Sequence, residues 1–262
     1  MHFFNKKSIW FFNSRSAAKE QIAERKKPFV QSKKEGYEIQ SEVLKALSWK
    51  VGGWKLGGTT LLTQEMFNCD SLYFGPLDRE KVIKAAEFKP CVFSAPKKLK
   101  GEPEIAFLLN ENVPNLCFLE QHNDIYKYVD FFATAFECPT EGCLQDDYIN
   151  LGDLLADLCG SGYLIVGELI EVDKLAAFLD SEVRVTQNRQ VIQKGSSRLI
   201  IGTPLKAVYD FLNLSLSLGI QLKAGQWVTT GGCAPCCDIC PRSSVTVSFD
   251  EGKPFKFLYD II

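Results

Sequence analysis

The sequence predicts an α+β fold with a mixed sheet or β-roll core and a few helices. Two segments of the second half, 182–197 and 243–262, alternate apolar and polar residues with the period of a half-buried strand. Turns are expected within them at Asn188 and near Gly252. Segment 202–219 instead has the apolar spacing and end signals of a helix. Because strands predominate and helices are few, we expect an α+β arrangement.

Helical patterns also occur near the N-terminus. One is in segment 17–29 and ends before Pro28. The next is segment 37–50, whose apolar stripe is Ile39, Val43, Leu44 and Leu47. In the later helix, Thr203 can cap the N-terminus, Pro204 suits the first turn and Gly219 ends the helix.

The remaining strands are predicted in the first two thirds of the chain. Segment 51–60 is glycine-rich and predicts a strand opening into a loop. Segment 89–109 offers two strand candidates, and a helix is expected to lead into a strand near residues 134–137. Segment 163–170 is apolar enough for a further buried strand.

Length and charge suggest one main domain. The chain has 262 residues, 46% of them hydrophobic, and a net charge of −2, so nothing global indicates nucleic-acid binding. Residues 1–36 hold nine basic residues against three acidic ones. We therefore predict a basic N-terminal arm or helix over 1–36 and a single catalytic-type domain over 37–262. The arm is expected to be a solvated flank, and contact with a membrane or nucleic acid is the alternative.

Targeting signals and histidine chemistry are both sparse. The apolar run near the N-terminus spans five residues, shorter than a signal peptide requires, and no segment approaches the ~20 apolar residues of a membrane span. We expect a cytoplasmic protein with reduced thiols and no membrane partner.

The histidines are His2 and His122. A Ser-His-Asp triad or a His-rich zinc site is therefore disfavoured, and chemistry is expected from carboxylates, lysine or thiols.

The segment "GEPEIAFLLN" carries the strongest site signal. In a strand, Glu102 and Glu104 share a face because they are two residues apart, and the strand becomes apolar directly afterwards. Two partly buried like charges about 6–7 Å apart repel each other and lose solvation. A divalent cation such as Mg²⁺, Mn²⁺ or Ca²⁺ would relieve both effects. The alternative is a strand that begins at the surface with two solvated glutamates.

Several segments together extend this interpretation. They are "GWKLGGTT", "YFGPL", "GEPEIAFLL", "TAFE", "ADLCGSGYLIVG" and "GTPLKAVYDFL…SLGIQLKAGQWVTTGG". In this order they resemble the fumarylacetoacetate hydrolase superfamily, in particular its 2-keto-4-pentenoate hydratase and 4-oxalocrotonate decarboxylase branch. The resemblance runs from about residue 36 to the C-terminus. It implies a mixed, highly curved β-structure with peripheral helices that assembles as a homo-oligomer.

The resemblance implies a metal site with a neighbouring proton carrier. The family's E-x-E pair falls on Glu102 and Glu104, and its third carboxylate ligand falls on Glu137. These residues would hold Mg²⁺ or Mn²⁺. The family's active-site lysine matches Lys55, whose pKa we expect to be lowered beside a bound cation in apolar surroundings.

Other family positions are matched or altered. Asp157 matches an acidic residue of the family, with a solvated turn residue as the alternative, and Thr230 lies where members place groups near the substrate. Tyr73 replaces a common acid, and Leu158 replaces an asparagine; both would be substrate-binding positions. Gln226 replaces an aspartate whose role we expect to be structural.

The implied activity is enol chemistry on a 2-hydroxydienoate or 2-oxo acid, and the leading hypothesis is a metal-dependent hydratase-like lyase of aromatic catabolism. An oxo-acid decarboxylase or an acylpyruvate-type C–C hydrolase is the alternative within the superfamily. A non-catalytic homologue that acts as an interaction protein is the alternative from another class, because Tyr73 and Leu158 remove polar groups.

The segment "CAPCCDICP" adds four thiols, from Cys233, Cys236, Cys237 and Cys240. Two C-x-x-C units lie back to back, whereas structural zinc sites separate their two units by a dozen or more residues. We expect reduced, partly buried thiols, with a metal or redox pair as the alternative.

Overall fold

The computed structural model of the protein describes residues 5–16, 29–85, 91–95, 99–140 and 150–261. The predicted helix in segment 17–29, which ends before Pro28, lies outside these residues. The α-helices are α1 (Lys6–Arg15), α2 (Lys33–Leu47), α3 (Leu61–Phe67), α4 (Leu151–Ala156), α5 (Leu175–Phe178) and α6 (Pro204–Ser217). Single 3₁₀ turns occupy Arg79–Lys81, Val113–Asn115, His122–Lys127, Leu158–Gly160, Val172–Lys174 and Ser197–Leu199.

The strands follow in chain order. They are β1 (Val51–Gly57), β2 (Tyr73–Asp78), β3 (Val82–Lys84), β4 (Cys91–Ala95), β5 (Leu99–Leu109), β6 (Val129–Cys138), β7 (Tyr163–Val166), β8 (Ile170–Glu171), β9 (Glu182–Gln187), β10 (Gln190–Ser196), β11 (Trp227–Thr229), β12 (Cys237–Ile239), β13 (Ser244–Phe249) and β14 (Phe255–Ile261).

Two sheets form the body of the molecule. The larger sheet has the order β2-β1-β11-β5-β6-β7-β3, and it is extended where β12 pairs with β5 and β8 pairs with β6. Its β1–β11 and β3–β7 pairs are parallel, whereas the β5–β6 pair at its centre is antiparallel. The smaller sheet has the order β10-β9-β13-β14-β4, with β14 and β4 parallel. Both sheets are therefore mixed, as the sequence predicted.

Local signals fix several of these elements. The β9–β10 hairpin turns at Asn188 and Arg189, which have positive φ values of 49° and 71°. Helix α6 is capped by Thr203, whose side chain accepts a hydrogen bond from the Lys206 amide, and Pro204 is its first residue. These turn and cap positions are the ones that the sequence predicted.

Other element bounds differ from the prediction. Strand β6 begins at Val129 rather than near residue 134, because the eleven-residue β5 offers it a partner as far as Leu109. A 3₁₀ turn stands before it where an α-helix was expected. Strand β7 ends at Val166, since the amide of Gly167 turns to the carbonyl of Thr134.

The central β5–β6 pair has one aromatic face. Ile105 and Phe107 of β5 are fully buried on this face with Phe132 of β6, and the Phe107 and Phe132 rings lie 6.0 Å apart. Helix α6 covers the same core, where the ring of Phe211 lies 5.3 Å from that of Phe74. The main hydrophobic core therefore lies on this face of the larger sheet, where it packs against α6 and, through Phe136 and Phe257, against the smaller sheet.

The other face of the pair carries small and acidic residues. Ala106, Ala133 and Ala135 are fully buried there, and Glu104 and Glu137 project on the same side because residues two apart share a face. The acidic residues therefore share this face with a buried apolar cluster.

Helix α1 packs against α2. Phe11 is fully buried in a cluster with Ile39 and Val43, and the Lys7 Nζ atom lies 2.5 Å from the Glu35 carboxylate. The described part of the predicted basic arm thus lies on the body of the protein, and the division at residue 36 stays a prediction. None of the described helices is long and apolar enough to cross a membrane.

Candidate metal centre

Strands β5 and β6 bring three glutamates together. Glu102 faces Glu137 directly across the antiparallel pair, and Glu104 stands two residues farther along β5 on the same face. One carboxylate oxygen from each residue lies within 4.8 Å of the others. Glu104 and Glu137 are fully buried and Glu102 is partly buried. The structure therefore assembles the three residues that the sequence and the resemblance selected.

The hydrogen bonds of these carboxylates are incomplete. Glu104 Oε2 accepts a hydrogen bond of 2.7 Å from the Gly231 amide, but Glu104 Oε1 and Glu137 Oε2 have no hydrogen-bond partner in the described structure. Buried polar atoms are normally paired, and oxygen-only ligands suit hard divalent cations. The donor set, with its unpartnered oxygens, fits Mg²⁺ or Mn²⁺. The ligand roles themselves stay predictions.

Burial and mutual repulsion perturb all three carboxyl groups. Burial raises the pKa of Glu104 well above its ordinary range, and the charges of Glu102 and Glu137 raise it further. Burial together with the charge of Glu137 raises the pKa of Glu102 to about 7. Burial also raises the pKa of Glu137, although Lys55 opposes this effect. The protein side chains alone therefore disfavour three ionised glutamates, and a bound cation would favour them.

Lys55 is the positive charge beside this cluster. It projects from β1, and its Nζ atom lies 2.8 Å from Glu137 Oε1 with only 11% of its side chain exposed. Burial lowers the pKa of Lys55, but the charge of Glu137, its hydrogen bond and the charge of Glu102 outweigh burial and raise it overall. The expected lowering is therefore not produced by the protein side chains; the expectation depended on the charge of a bound cation.

A glycine pair after β11 closes over the carboxylates. A Cβ atom on Gly232 would lie 2.3 Å from Glu102 Oε2, and one on Gly231, whose φ is +91°, would lie 1.9 Å from Thr59 Oγ1. Thr230 anchors this loop, because its buried hydroxyl donates a 2.9 Å hydrogen bond to the Ile105 carbonyl. Thr230 thus positions the Gly231 amide. Sequence reasoning missed the glycine pair, although "TTGG" contained the signal of a close backbone approach.

Comparison with known proteins agrees with this geometry. No family model matches the sequence. A 2-keto-4-pentenoate hydratase of Paraburkholderia xenovorans (strain LB400) is 26% identical over 198 residues, which are 75% of this chain and 71% of that protein. The 4-oxalocrotonate decarboxylase of Pseudomonas putida G7, complexed with magnesium and adipate, superposes with a TM-score of 0.79 at 16% identity over the whole of both chains.

A fumarylpyruvate hydrolase of Pseudomonas aeruginosa, in complex with Mn²⁺ and pyruvate, superposes with a TM-score of 0.61 at 11% identity over 82% of this chain and 91% of that one. The chain has the fold of the fumarylacetoacetate hydrolase superfamily. The resemblance found in the sequence and the α+β fold class with a curved, mixed sheet are both confirmed.

The superfamily position Asp157 lies at the end of α4 and is fully buried. Its Oδ1 atom accepts a 2.8 Å hydrogen bond from Arg15 Nε, while its Oδ2 atom has no hydrogen-bond partner in the described residues. The alternative of a solvated turn carboxylate is wrong, because the residue is inaccessible to solvent. Its catalytic role stays a prediction.

Two of the three positions at which the sequence departs from the family pattern, Tyr73 and Leu158, are packed tightly. Tyr73 is 5% exposed, its ring lies 5.7 Å from Phe67, and a Cβ atom on Gly57 would clash with it. Leu158 is fully buried in the cluster around Phe11. This packing accounts for an apolar side chain at position 158 and gives no support to a substrate contact there.

The four cysteines after the glycine pair do not form a metal cluster. In the part of the chain that the structure describes, the group of side chains able to hold a metal is the glutamate triad. Cys233 is buried, Cys237 is partly buried, and Cys236 and Cys240 are exposed; all four are free thiols. The reduced-thiol interpretation fits this arrangement.

Proposed function

We propose that the protein is a metal-dependent, 2-keto-4-pentenoate hydratase-like lyase acting on 2-hydroxydienoates or 2-oxo acids. The observation that carries this proposal is the buried triad of Glu102, Glu104 and Glu137, with two unpartnered oxygens and Lys55 in contact. The similarity to the P. xenovorans hydratase supports the reaction class.

The three glutamates would hold Mg²⁺ or Mn²⁺, which when bound supplies a Lewis acid for the oxygens of a chelating 2-oxo acid. Lys55 holds a proton at Nζ, close enough to the triad to move it between the carbon and oxygen ends of an enol. Ala106, Ala133 and Ala135 belong to a buried apolar cluster on this face of the sheet, which lowers the polarity around the carboxylates.

We expect the hydration step to be weak or altered. Water addition needs a polar group to orient the nucleophile, and Leu158 offers none. Tyr73 offers a phenol, which is a poor base near neutrality. Loss of one orienting group costs on the order of 10²–10⁴-fold in rate. Tautomerisation of the dienol needs only the triad and Lys55, so it is expected to survive.

A decarboxylase is the second candidate, because the 4-oxalocrotonate decarboxylase superposes over the full length of both chains. Stabilisation of the same enolate serves either reaction. A C–C hydrolase is supported only by the more distant fumarylpyruvate hydrolase. The non-catalytic alternative has no support in the described residues, since Lys55 and all three glutamates are present and assembled.

The test is an assay on two substrates with Mg²⁺ or Mn²⁺. Loss of dienol absorbance from 2-hydroxypenta-2,4-dienoate, with product identification, separates hydration from tautomerisation, and release of CO₂ from 4-oxalocrotonate reports decarboxylation. We expect dienol turnover that disappears in Lys55→Ala. Absence of turnover with either substrate, despite a bound cation, would favour the non-catalytic alternative.

A cytoplasmic location, a homo-oligomeric assembly and a place in aromatic catabolism complete the proposal. They rest on the expectations from the sequence. Light scattering and cell fractionation would test the assembly and the location.

A further inference from the structure

The N-terminal helix reaches the neighbourhood of the centre through one side chain. Arg15, the last residue of α1, donates hydrogen bonds from Nε to Asp157 Oδ1 at 2.8 Å, from one terminal nitrogen to the Asp157 carbonyl at 2.6 Å, and from the other to the Ser161 carbonyl at 2.7 Å. The Arg15 and Asp157 side chains are 4% and 0% exposed. The three bonds thus bracket the turn between residues 157 and 161.

The backbone of this turn adopts an unfavourable conformation. Leu158, Cys159 and Gly160 have φ values of 53°, 54° and 63° in succession. A left-handed conformation is costly for residues other than glycine, and it persists only where the surroundings hold it. Arg15 bridges both ends of the turn from outside it, and Phe11 of the same helix packs in the cluster with Leu158.

The turn lies beside Lys55. Gly75 of β2 is the direct neighbour of Lys55 across the β1–β2 pair, so both point to the same face of the sheet. A Cβ atom on Gly75 would lie 2.5 Å from the Leu158 carbonyl oxygen and 2.7 Å from the Cys159 Cβ. The turn therefore forms a wall on the face that carries the glutamate triad.

We propose that Arg15 is a positioning residue, which holds the left-handed turn Leu158–Gly160 and the Asp157 carboxylate against the sheet beside Lys55. Helix α1, which the sequence suggested to be a solvated flank, then belongs to the wall of the active site. The consequence for catalysis rests on the proposed function, whereas the consequence for the turn does not.

Cys159 provides a reporter within the turn. Its thiol is 4% exposed and donates to the Phe74 carbonyl at 3.1 Å. Burial raises the pKa of Cys159 to about 12, while the charges of Lys55 and Arg15 lower it. Removal of the Arg15 charge would raise the pKa of Cys159 further. Alkylation would therefore slow if the thiol stayed buried. Faster alkylation therefore reports opening of the turn.

The experiment labels the intact, Mn²⁺-loaded protein with iodoacetamide and measures each cysteine by peptide mass spectrometry. In Arg15→Gln we expect Cys159 to react at least about tenfold faster, because one partner of a buried ion pair is lost. The buried Cys138 and Cys233 should be unchanged, and Arg15→Lys should be intermediate. Lys7→Gln, which removes a contact of the same helix with α2 alone, is the matched control and should leave Cys159 protected.

Two results would overturn the proposal. One is unchanged labelling of Cys159 in Arg15→Gln; the other is an equal increase at Cys138, Cys159 and Cys233, which would show general destabilisation. In the activity assay, Arg15→Gln should lower kcat about tenfold with KM and Mn²⁺ affinity kept within about twofold. If the wild type turns over neither substrate, the proposed function fails, and the labelling still decides whether Arg15 holds the turn.

Discussion

The two faces of the β5–β6 pair differ in what they contribute. One face buries Ile105, Phe107 and Phe132 against the aromatic core under α6. The other buries Glu104 and Glu137 beside alanines. Full burial of a large apolar side chain contributes about 1.5–3 kcal/mol to stability, whereas desolvation of a charged group costs several kcal/mol. The same two strands thus stabilise the fold on one side and carry an unfavourable charge cluster on the other.

This difference indicates that the acidic face is maintained for binding. Three carboxyl groups with raised pKa and two unpartnered oxygens would be replaced by apolar residues if stability alone mattered. A divalent cation converts the cluster from a cost into a binding site. Substitutions on the acidic face should therefore lower metal affinity, whereas substitutions on the aromatic face should lower stability.

The largest effect on metal binding is expected from Glu104→Gln. The variant keeps the acceptor for the Gly231 amide but loses a ligand charge, so Mn²⁺ affinity should fall at least about hundredfold. In chelator its stability should stay equal or rise, since the neutral amide avoids the cost of ionising a buried carboxyl beside Glu102 and Glu137. Equilibrium dialysis measures the Mn²⁺ affinity and should show one site per chain in the wild type. Urea unfolding measures the stability.

Phe107→Ala on the aromatic face is the matched comparison. It should cost about 3–5 kcal/mol of stability and leave Mn²⁺ affinity unchanged in the folded protein. A variant in which Glu102, Glu104 and Glu137 all become Gln, yet which binds Mn²⁺ like the wild type, would show that the site is misassigned.

Lys55→Ala should lower dienol turnover by about 10²–10⁴-fold, because the proton carrier beside Glu137 is lost. Lys100→Ala removes an exposed lysine from the same sheet and should leave the rate unchanged. Initial rates with saturating Mn²⁺ are the measurement. Equal rates for the two variants would show that Lys55 takes no part in the reaction.

Gly231→Ala isolates the role of the close backbone approach. Both Gly231 and Gly225 have positive φ, so an alanine at either costs about 1 kcal/mol. A Cβ atom on Gly225 would have nothing within 4 Å, whereas one on Gly231 would meet Thr59. Mn²⁺ affinity should therefore fall about tenfold in Gly231→Ala only. Similar affinities in both variants would show that the Gly231 amide does not orient Glu104.

The pH dependence of stability should change sign when the cation is bound. Burial and Glu137 raise the pKa of Glu102 from 4.5 to about 7, so in chelator the folded state binds a proton that the unfolded state lacks between these values. Stability in chelator should thus fall as pH rises from about 4.5 to 7. Mn²⁺ competes with that proton, so its affinity should rise roughly tenfold per pH unit there. Thermal midpoints with and without Mn²⁺, measured from pH 5 to pH 8, test both slopes.

The smallest effect is expected from the thiols. Replacing Cys236 and Cys237 with Ser should change neither Mn²⁺ affinity nor bound metal, and elemental analysis of the wild type should give less than one zinc or iron per chain. A stoichiometric metal that disappears in the double variant would instead establish a second site.

The sequence predicted those features that depend on local rules. The shared face of Glu102 and Glu104, the hairpin at Asn188 and the cap at Thr203 follow from strand period, turn chemistry and capping. The assignment of Glu137 came only from the family resemblance, because nothing local pairs β5 with β6.

Features that depend on distant pairing were not predicted. The contact of Arg15 with Asp157 joins residues 142 positions apart, and strand β2 acquires its place from pairing with β1. The Gly231 amide reaches Glu104 only because β11 pairs with β5. Such contacts are set by tertiary packing, which a local pattern does not encode.

Pro103, between the two glutamates of β5, explains why the chain leaves the sheet here. Its carbonyl accepts the Cys233 amide, so the nitrogen that lacks a hydrogen lies on that same edge of the strand. The neighbouring chain pairs with β5 as β11 at residues 106–108 and again as β12 at residues 99–101, and between them it loops outward. One proline in β5 thus interrupts the pairing, and the loop formed there brings the Gly231 amide to the Glu104 carboxylate of the predicted metal site.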